Sequence, residues 1–174
     1  LSEFTLQELQ SRIPYNYLAV SRAVGELERK QLLQARKDRK TKLIYSSMLR
    51  KDLWNKAMPY FVSPVKKIVY SDEVGGDSFY IGGVSALSHY SFLNADDQIT
   101  LAIWERDYVS GNYSFAEWES SDFKYKIEIW KYSPEMKIGQ QGYVDRLSLY
   151  LSLREDKDPR VEKELENIIR EIWQ

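Results

Sequence analysis

Pro14 separates two amphipathic stretches and constrains how the beginning of the chain can fold. The apolar residues before it recur at three- and four-residue intervals and so share one face of a helix: Leu6, Leu9 and Ile13. Thr5 and Glu8 have the spacing of a capping box, in which each side chain bonds to the backbone N–H of the other residue. Proline disfavours helical backbone in the residue before it. The pattern therefore predicts a short helix from Phe4 to Ile13.

A second amphipathic helix is expected directly after this break. Asn16 is a favourable N-cap, and the helix is predicted to run to about Gln31. Its apolar stripe consists of Val20, Ala23, Val24 and Leu27, with Leu32 just past the end. A helix, a tight turn and an amphipathic helix form the helix-turn-helix arrangement, whose second helix enters the major groove of DNA.

The segment after this helix is predicted to form a two-stranded hairpin with a high density of positive charge. The hairpin extends from Gln34 to Tyr45 and turns near Asp38 and Arg39. Five of the seven residues at positions 36–42 are basic. A basic hairpin that follows a helix-turn-helix is expected to act as a wing, which contacts phosphates or the minor groove.

The charge of the chain is divided unevenly, and the division supports this interpretation. Residues 1–67 hold 14 lysines and arginines against 6 acids, whereas residues 68–174 hold 11 against 20. The net charge of −1 therefore conceals a basic first part and an acidic remainder. A basic part that also carries a matching motif is expected to bind a polyanion such as double-stranded DNA.

The residues expected to contact DNA lie on the outer face of the second helix and on the hairpin. From the helix they are Asn16, Tyr17, Ser21 and Arg22. From the hairpin they are Arg36, Lys37, Arg39, Lys40 and Lys42. Asparagine and arginine can recognise base edges through paired hydrogen bonds, while serine and tyrosine usually hold phosphates. For Arg29 and Lys30 two roles are left as alternatives: contact with DNA, or a favourable interaction with the helix dipole, because both lie near the C-terminus of the predicted helix.

Beyond the hairpin the pattern predicts a second domain. A third helix is expected from about Met48 to Met58, with Ser46 or Ser47 as its cap. Prolines then interrupt the chain, and the domains are predicted as 1–60 and 61–174. We expect an α+β fold throughout: an N-terminal winged helix-turn-helix followed by an α+β C-terminal domain.

The elements of the second domain follow from periodicity and caps. They are strands over 65–70, 98–104 and 123–130, and helices over 83–90 and after the caps Asp145 and Asp158. In the strand over 123–130, alternation places the residues on two sides: Phe123, Tyr125, Ile127 and Ile129 on one, and Lys124, Lys126, Glu128 and Trp130 on the other. The leucines after Asp145 alternate as in a strand, but leucine favours helices and Asp145 is a good cap, so we expect a helix.

The sequence does not predict an enzyme. His89 is the one histidine and there is no cysteine, which is a poor basis for a catalytic triad or a zinc site. Four acids surround the strand over 98–104: Asp96, Asp97, Glu105 and Asp107. We interpret them as solvated loop residues, with a metal-dependent nuclease as the weaker alternative. No cofactor and no metal are expected.

A group of aromatic residues suggests an alternative function. It consists of Tyr113, Phe115, Trp118, Phe123 and Tyr125. Core packing and strand preference account for such residues, but together with Lys124 and Lys126 they could form a binding surface for a partner or a ligand. The chain would then be a ligand-sensing winged-helix regulator with an aromatic effector domain. An adaptor whose winged helix binds protein is disfavoured by the strongly basic hairpin.

Residues 4–46 resemble winged-helix bacterial regulators such as those of the MarR group. The resemblance lies in Ser21-Arg22-Ala23, Glu26-Leu27-Glu28 and Leu32-Leu33, followed by the basic hairpin. A winged helix normally begins with one further helix. The resemblance therefore implies a winged helix that lacks this first helix.

A second resemblance covers most of the chain. Tyr80 to Leu87 looks like the glycine-then-Ser-Ala-Leu helix opening of AbiEi-like antitoxins, and Gly142 to Leu149 is similar to a strand-then-helix segment near the C-terminus of that family. The resemblance implies an autorepressing antitoxin of a type IV toxin–antitoxin system, which binds repeats in its own promoter. It also implies a functional link to a nucleotidyltransferase-like toxin, counteracted without a stable complex.

The sequence also bears on location. No apolar run approaches the roughly 20 residues that a membrane-spanning helix needs. The first residues lack the basic-then-apolar pattern of a secretory leader. We therefore expect a cytoplasmic protein that does not bind a membrane.

Overall fold

The structure, a computed structural model, describes residues 3–39, 41–94, 96–134 and 142–173. It mixes helices and strands, so the predicted α+β class is confirmed. The chain divides into two compact units, of which the first ends at Phe61 and the second begins at Val62.

The first unit holds two helices, a hairpin and a further helix. In chain order they are α1 (Leu6–Gln10), α2 (Tyr17–Arg29), β1 (Gln34–Asp38), β2 (Thr41–Tyr45) and α3 (Arg50–Ala57). A 3₁₀ turn over Met58–Tyr60 follows α3. The strands β1 and β2 are antiparallel, and the turn between them lies where the sequence predicts it. α1 is shorter than the expected helix at both ends: Phe4 pairs with the hairpin, and the helix ends at Gln10, before Ile13.

Local capping sets where most helices of this unit begin. The Thr5 backbone N–H donates to the Glu8 carboxylate at 2.7 Å, and the Glu8 N–H donates to the Thr5 hydroxyl at 3.1 Å, which confirms the capping box. Asn16 caps α2 by accepting from the backbone N–H of Ala19 at 2.9 Å. The predicted serine cap of α3 is wrong: α3 begins after Leu49, which makes no capping bond.

Phe4 ties the beginning of the chain to the hairpin. Its backbone N–H donates to the Ile44 carbonyl at 3.0 Å, and the Ile44 N–H donates to the Phe4 carbonyl at 2.8 Å. Ile44 is fully buried and packs with Val20 and Val24 of α2. The same residue of β2 therefore joins Phe4, the hairpin and α2 into one small core.

The second unit is built on a four-stranded sheet. Its elements are β3 (Val65–Ser71), β4 (Tyr80–Ile81), α4 (Gly83–Tyr90), β5 (Ile99–Trp104), α5 (Glu105–Ser110), β6 (Tyr125–Trp130), α6 (Arg146–Leu153) and α7 (Pro159–Ile172). The strand order is β3-β6-β5-β4. β5 and β6 run parallel, and the other neighbouring pairs run antiparallel.

Side chains bury both faces of this sheet. One face packs with the helices in a core that includes Leu87, Trp130, Val144, Leu149 and Ile168. The other packs Val69, Leu101, Ile103, Ile127 and Ile129 against surrounding aromatic residues. The predicted alternation along β6 is therefore confirmed: Ile127 and Ile129 lie in one core and Trp130 in the other. Glu128, which shares the face of Trp130, is 4% exposed. Helices α4, α6 and α7 contribute to the core on their side, and strand alternation alone could not show this.

Two further predictions have clear outcomes. Asp145 caps α6 by accepting from the backbone N–H groups of Leu147 and Ser148, both at 3.0 Å, so the helix predicted there is confirmed. The interpretation of Glu105 and Asp107 as loop residues is wrong, because both lie in the first turn of α5. Acids favour a helix N-terminus through the helix dipole, which explains their position.

The glycine pair before α4 allows this helix to lie close to β5. Gly83 has a φ of +49°, and a Cβ atom there would lie 2.5 Å from Cγ2 of Thr100. The Thr100 backbone N–H donates to the Ser85 hydroxyl at 2.9 Å. The glycine-then-serine motif of the sequence thus has a structural role, in which glycine provides space and serine provides a hydrogen bond.

Substitution of Glu128 by glutamine is expected to change how stability depends on pH. Burial raises the pKa of Glu128, and the hydrogen bond from Trp130 and the charge of Lys126 oppose this shift. The folded state then holds the proton more tightly, so stability is greatest below the ordinary pKa of 4.5 and falls as pH rises toward the folded value. Glu128→Gln should raise the free energy of unfolding by about 1–3 kcal/mol at mildly alkaline pH and leave it nearly unchanged in acid.

Urea denaturation across the pH range measures this difference. Glu166→Gln, on the exposed side of α7, is the matched control and should have no such pH-dependent effect. An equal change of stability for Glu128→Gln at acidic and alkaline pH would contradict the prediction.

Candidate nucleic-acid interface

The buried residues of α2 define its outer face. Val20 and Val24 are each 2% exposed and point into the core of the first unit. Because a helix turns once every 3.6 residues, Arg22 lies on the side opposite these two valines. Its side chain is exposed, and among the described residues it makes no hydrogen bond or ion pair. Arg22 is therefore available to a ligand outside the protein.

The other residues predicted on α2 differ in availability. Tyr17 is 51% exposed in the first turn. Ser21 is half-buried beside the core. The side-chain oxygen of Asn16 is held by the capping bond, so this amide can still donate to a phosphate but cannot offer the donor–acceptor pair that recognises adenine.

The register of the hairpin places two of its lysines on the face that packs toward α2. Lys37 lies opposite Lys42, and Ala35 lies opposite Ile44 on the same face of the strands. The Lys42 ammonium pairs with the Glu28 carboxylate of α2 at 2.8 Å. This ion pair fixes the hairpin beside the C-terminal half of α2.

Arg36 lies on the opposite face of the hairpin. Its guanidinium donates to the two carboxylate oxygens of Glu3 at 2.9 and 2.6 Å. The hydrogen bond from Arg36 lowers the pKa of Glu3, so Glu3 stays ionised and keeps the pair intact. Arg36 must exchange this partner before it can bind a phosphate.

Lys37 and Arg39 lie on either side of Asp38, at the turn end of the hairpin. Both are exposed, and neither makes an ion pair within the part of the chain that the structure describes. Arg39 has a φ of +54°, which places its backbone in the left-handed conformation typical of a tight turn. Lys40, also predicted to contact DNA, lies outside the described residues.

Arg29 and Lys30 have partners inside the first unit. Arg29 forms an ion pair with Glu26, one turn earlier in α2. The Lys30 ammonium lies 3.9 Å from the centre of the Tyr60 ring. These contacts support a structural role for both cations over a role in DNA contact.

Sequence reasoning missed Leu18. This residue is 57% exposed on the outer side of α2, one turn before Arg22. An apolar side chain in the major groove can contact the methyl group of thymine. Leu18 lies off the apolar stripe of the helix, and an apolar residue in such a position indicates an exposed side chain that can contact a ligand.

His89, the single histidine of the sequence, lies in the second unit. His89 stacks on Tyr143 with ring centres 4.1 Å apart, which is a packing contact. Among the described residues, no group of three or more His, Cys, Asp or Glu side chains could hold a metal ion. Nor does any helix in the described ranges have the length and apolar character needed to cross a membrane.

Comparisons with models of protein families, with curated proteins and with solved structures found no match. The function is therefore inferred from the geometry of the first unit and from the sequence resemblances. The geometry brings one exposed arginine and two exposed hairpin cations onto elements that share a single core.

Proposed function

We propose that the first unit binds double-stranded DNA as a winged helix-turn-helix. In this proposal α2 lies in the major groove, and the β1–β2 hairpin is the wing that contacts the phosphate backbone. The order of the elements supports it, because helix, turn, helix and hairpin follow one another with Phe4 bonded to β2.

The observation that carries the proposal is the position of Arg22, Lys37 and Arg39. Arg22 points away from the buried face of α2, and the hairpin that bears the other two cations packs on the same helix through Ile44. Within the described residues none of the three has an acidic partner. Binding to phosphate would therefore break no internal ion pair, while the release of counterions from DNA would favour association.

The proposed biological role is that of a cytoplasmic transcriptional regulator, an autorepressing antitoxin of the type IV, AbiE-like kind. The resemblance to these antitoxins involves two segments that bond to each other in the structure. The Ile81 N–H donates to the Gly142 carbonyl at 2.8 Å, and the Val144 N–H donates to the Ile81 carbonyl at 3.0 Å. Both segments thus belong to one structural module. The partners in this role are repeats in the promoter and, functionally, a nucleotidyltransferase-like toxin.

Alanine substitutions at Arg22 and Lys37 test the proposal because they should have different effects. The ligand is a duplex that the protein itself enriches from a random-sequence pool, compared with unselected duplex by fluorescence anisotropy. Arg22→Ala should weaken binding to the enriched duplex by about 5- to 150-fold and reduce the preference for this duplex over unselected DNA, since base contacts specify sequence. Lys37→Ala should weaken binding to both duplexes about equally and reduce the magnitude of the slope of log affinity against log salt by about 1.

Lys163→Ala is the matched control, since Lys163 is an exposed cation of α7 in the second unit. It should leave both affinities unchanged. The proposal fails if Arg22→Ala and Lys37→Ala bind both duplexes as tightly as the unaltered chain does. The regulatory role has a separate test: Arg22→Ala should relieve repression of a reporter fused to the DNA upstream of the chain's own gene.

A further inference from the structure

The second unit carries an open groove with aromatic walls. The chain around Ala116 runs beside β3, since the N–H and carbonyl groups of Ala116 and Tyr70 bond to each other at 2.8 and 2.9 Å. Residues of both segments line a cavity of 490 Å³. The lining residues that matter below are Tyr70, Asp72, Glu73, Phe115, Trp118 and Phe123.

Three aromatic rings form a continuous series along this groove. The ring centres of Tyr70 and Phe123 are 6.1 Å apart, with an interplanar angle of 28°. The ring of Trp118 lies a further 6.1 Å from Phe123 and is tilted by 57°. Trp118 is 68% exposed, so this indole is offered to solvent and is not part of a core.

The polar residues of the groove are acidic. Asp72 and Glu73 line it, and no lysine or arginine is among its described lining residues. Burial raises the pKa of Tyr70, and the charge of Glu119 and a hydrogen bond to it add to this shift, so the hydroxyl stays neutral.

Lys126 lies opposite Tyr70 in the register of β3 and β6, and two other lysines close in sequence to the groove residues have contacts of their own. The Lys67 ammonium pairs with Glu117 at 2.9 Å, and the Lys124 ammonium lies 5.0 Å from the centre of the Tyr125 ring. A surface that joins Lys124 and Lys126 to the aromatic residues was the weaker alternative to core packing in the sequence. The groove instead combines the aromatic residues with carboxylates, which reverses the sign of the charge that it would attract.

We propose that this groove binds a small organic cation of the alkylammonium class, with Trp118 and Phe123 facing the cation and Asp72 and Glu73 balancing its charge. Aromatic faces attract cations through the ring quadrupole, and quaternary ammonium groups lose little hydration on such a surface. The groove is open, so a neutral apolar ligand would bury little area there and gain little binding energy. The proposed site belongs to the second unit and does not depend on DNA binding by the first.

Choline and its uncharged isostere 3,3-dimethylbutan-1-ol test the role of charge. The two molecules have nearly the same shape, and only choline carries a cationic nitrogen. Isothermal titration calorimetry on the full chain should show choline binding about three- to fivefold more tightly than the isostere. In a chain labelled with 5-fluorotryptophan, choline should shift the ¹⁹F resonance of Trp118, which is assigned by its loss in Trp118→Phe.

Single substitutions in the groove locate the binding energy. Trp118→Ala and Glu73→Gln should each weaken choline binding about two- to fivefold, and Glu73→Gln should leave the affinity for the isostere unchanged. Phe92→Ala is the matched control, because Phe92 is a fully exposed aromatic side chain of the same unit that does not line the groove. Both Trp118 and Glu73 are exposed, so these variants should fold, which circular dichroism checks.

Three outcomes would overturn the proposal. They are a Trp118 resonance that choline does not shift, an isostere that binds as tightly as choline, and a loss of choline affinity in Phe92→Ala equal to that in Trp118→Ala. A charge preference that disappears in Glu73→Gln and persists in Phe92→Ala would support it.

Discussion

Simultaneous charge reversal in Lys37→Glu/Arg39→Glu is expected to weaken the binding of every DNA duplex by about a hundredfold or more at moderate salt. Each substitution replaces an attraction to phosphate with a repulsion, and both positions lie on the exposed hairpin without acidic partners among the described residues. The loss should shrink as salt is raised, because screening weakens attraction and repulsion alike. Fluorescence anisotropy over a salt series measures both effects.

A matched control separates the hairpin from the total charge. Lys157→Glu/Lys163→Glu changes the net charge by the same amount, at exposed positions of the second unit. This variant should lose little affinity, since its charges lie outside the proposed contact surface. An equal loss in both double variants would show that only total charge matters, and no loss in the hairpin variant would rule out the hairpin as a DNA contact.

Truncation of Trp130 to alanine is expected to lower the free energy of unfolding by about 3–5 kcal/mol, the usual range for a buried tryptophan. Trp130 is fully buried, and its ring lies 5.7 Å from that of Tyr132. Its indole N–H also donates to the Glu128 carboxylate at 2.9 Å. The substitution therefore creates a cavity and leaves a buried carboxyl group without its donor, which adds to the cost.

Urea denaturation followed by circular dichroism measures this loss. Trp118→Ala provides the matched control, because the side chain of Trp118 is mostly exposed and its removal should change stability by about 0.5 kcal/mol or less. A loss below about 1 kcal/mol for Trp130→Ala would mean that the core around Trp130 is not packed as described.

Helix starts could be predicted from the sequence because capping is a local interaction. Thr5, Asn16, Asp145 and Asp158 all accept the backbone hydrogen bonds that their positions before apolar stripes indicate. α3, α4 and α5 begin without a side-chain cap. Before α3, the Ser46 hydroxyl accepts from the Met48 N–H and so serves a turn that precedes the helix. The same local pattern, a serine before an apolar stretch, fits both arrangements.

The pairing of the strands could not be predicted in this way. Register between β3 and β6 joins residues about sixty positions apart, and no local pattern specifies such a partner. Glu128 shows the consequence. It lies opposite Ala102 on the sheet face that the helices cover, and its polar side chain alone gives no sign of this burial. Strand alternation identifies two faces of a sheet and cannot tell whether one or both are buried.

The candidate interface could be predicted only in part, because helical periodicity is local and the pairing of distant residues is not. The outward position of Arg22 follows from helical periodicity and the positions of Val20 and Val24. The ion pairs of the hairpin do not, since Arg36 and Glu3 are 33 residues apart and Lys42 and Glu28 are 14 apart. From the sequence all hairpin cations look equivalent, whereas in the structure two of them form ion pairs with acidic residues of the first unit.

The position of β6 in the sheet also determines the order in which the chain can assemble. β6 is the last of the four strands to be synthesised, yet it lies between β3 and β5. The first unit is compact and ends at Phe61, so it can fold early on the ribosome. Until Trp130 has emerged, the apolar strands Val65–Ser71 and Ile99–Trp104 have no neighbour between them, and this is the interval in which chaperones or aggregation have access to the nascent chain.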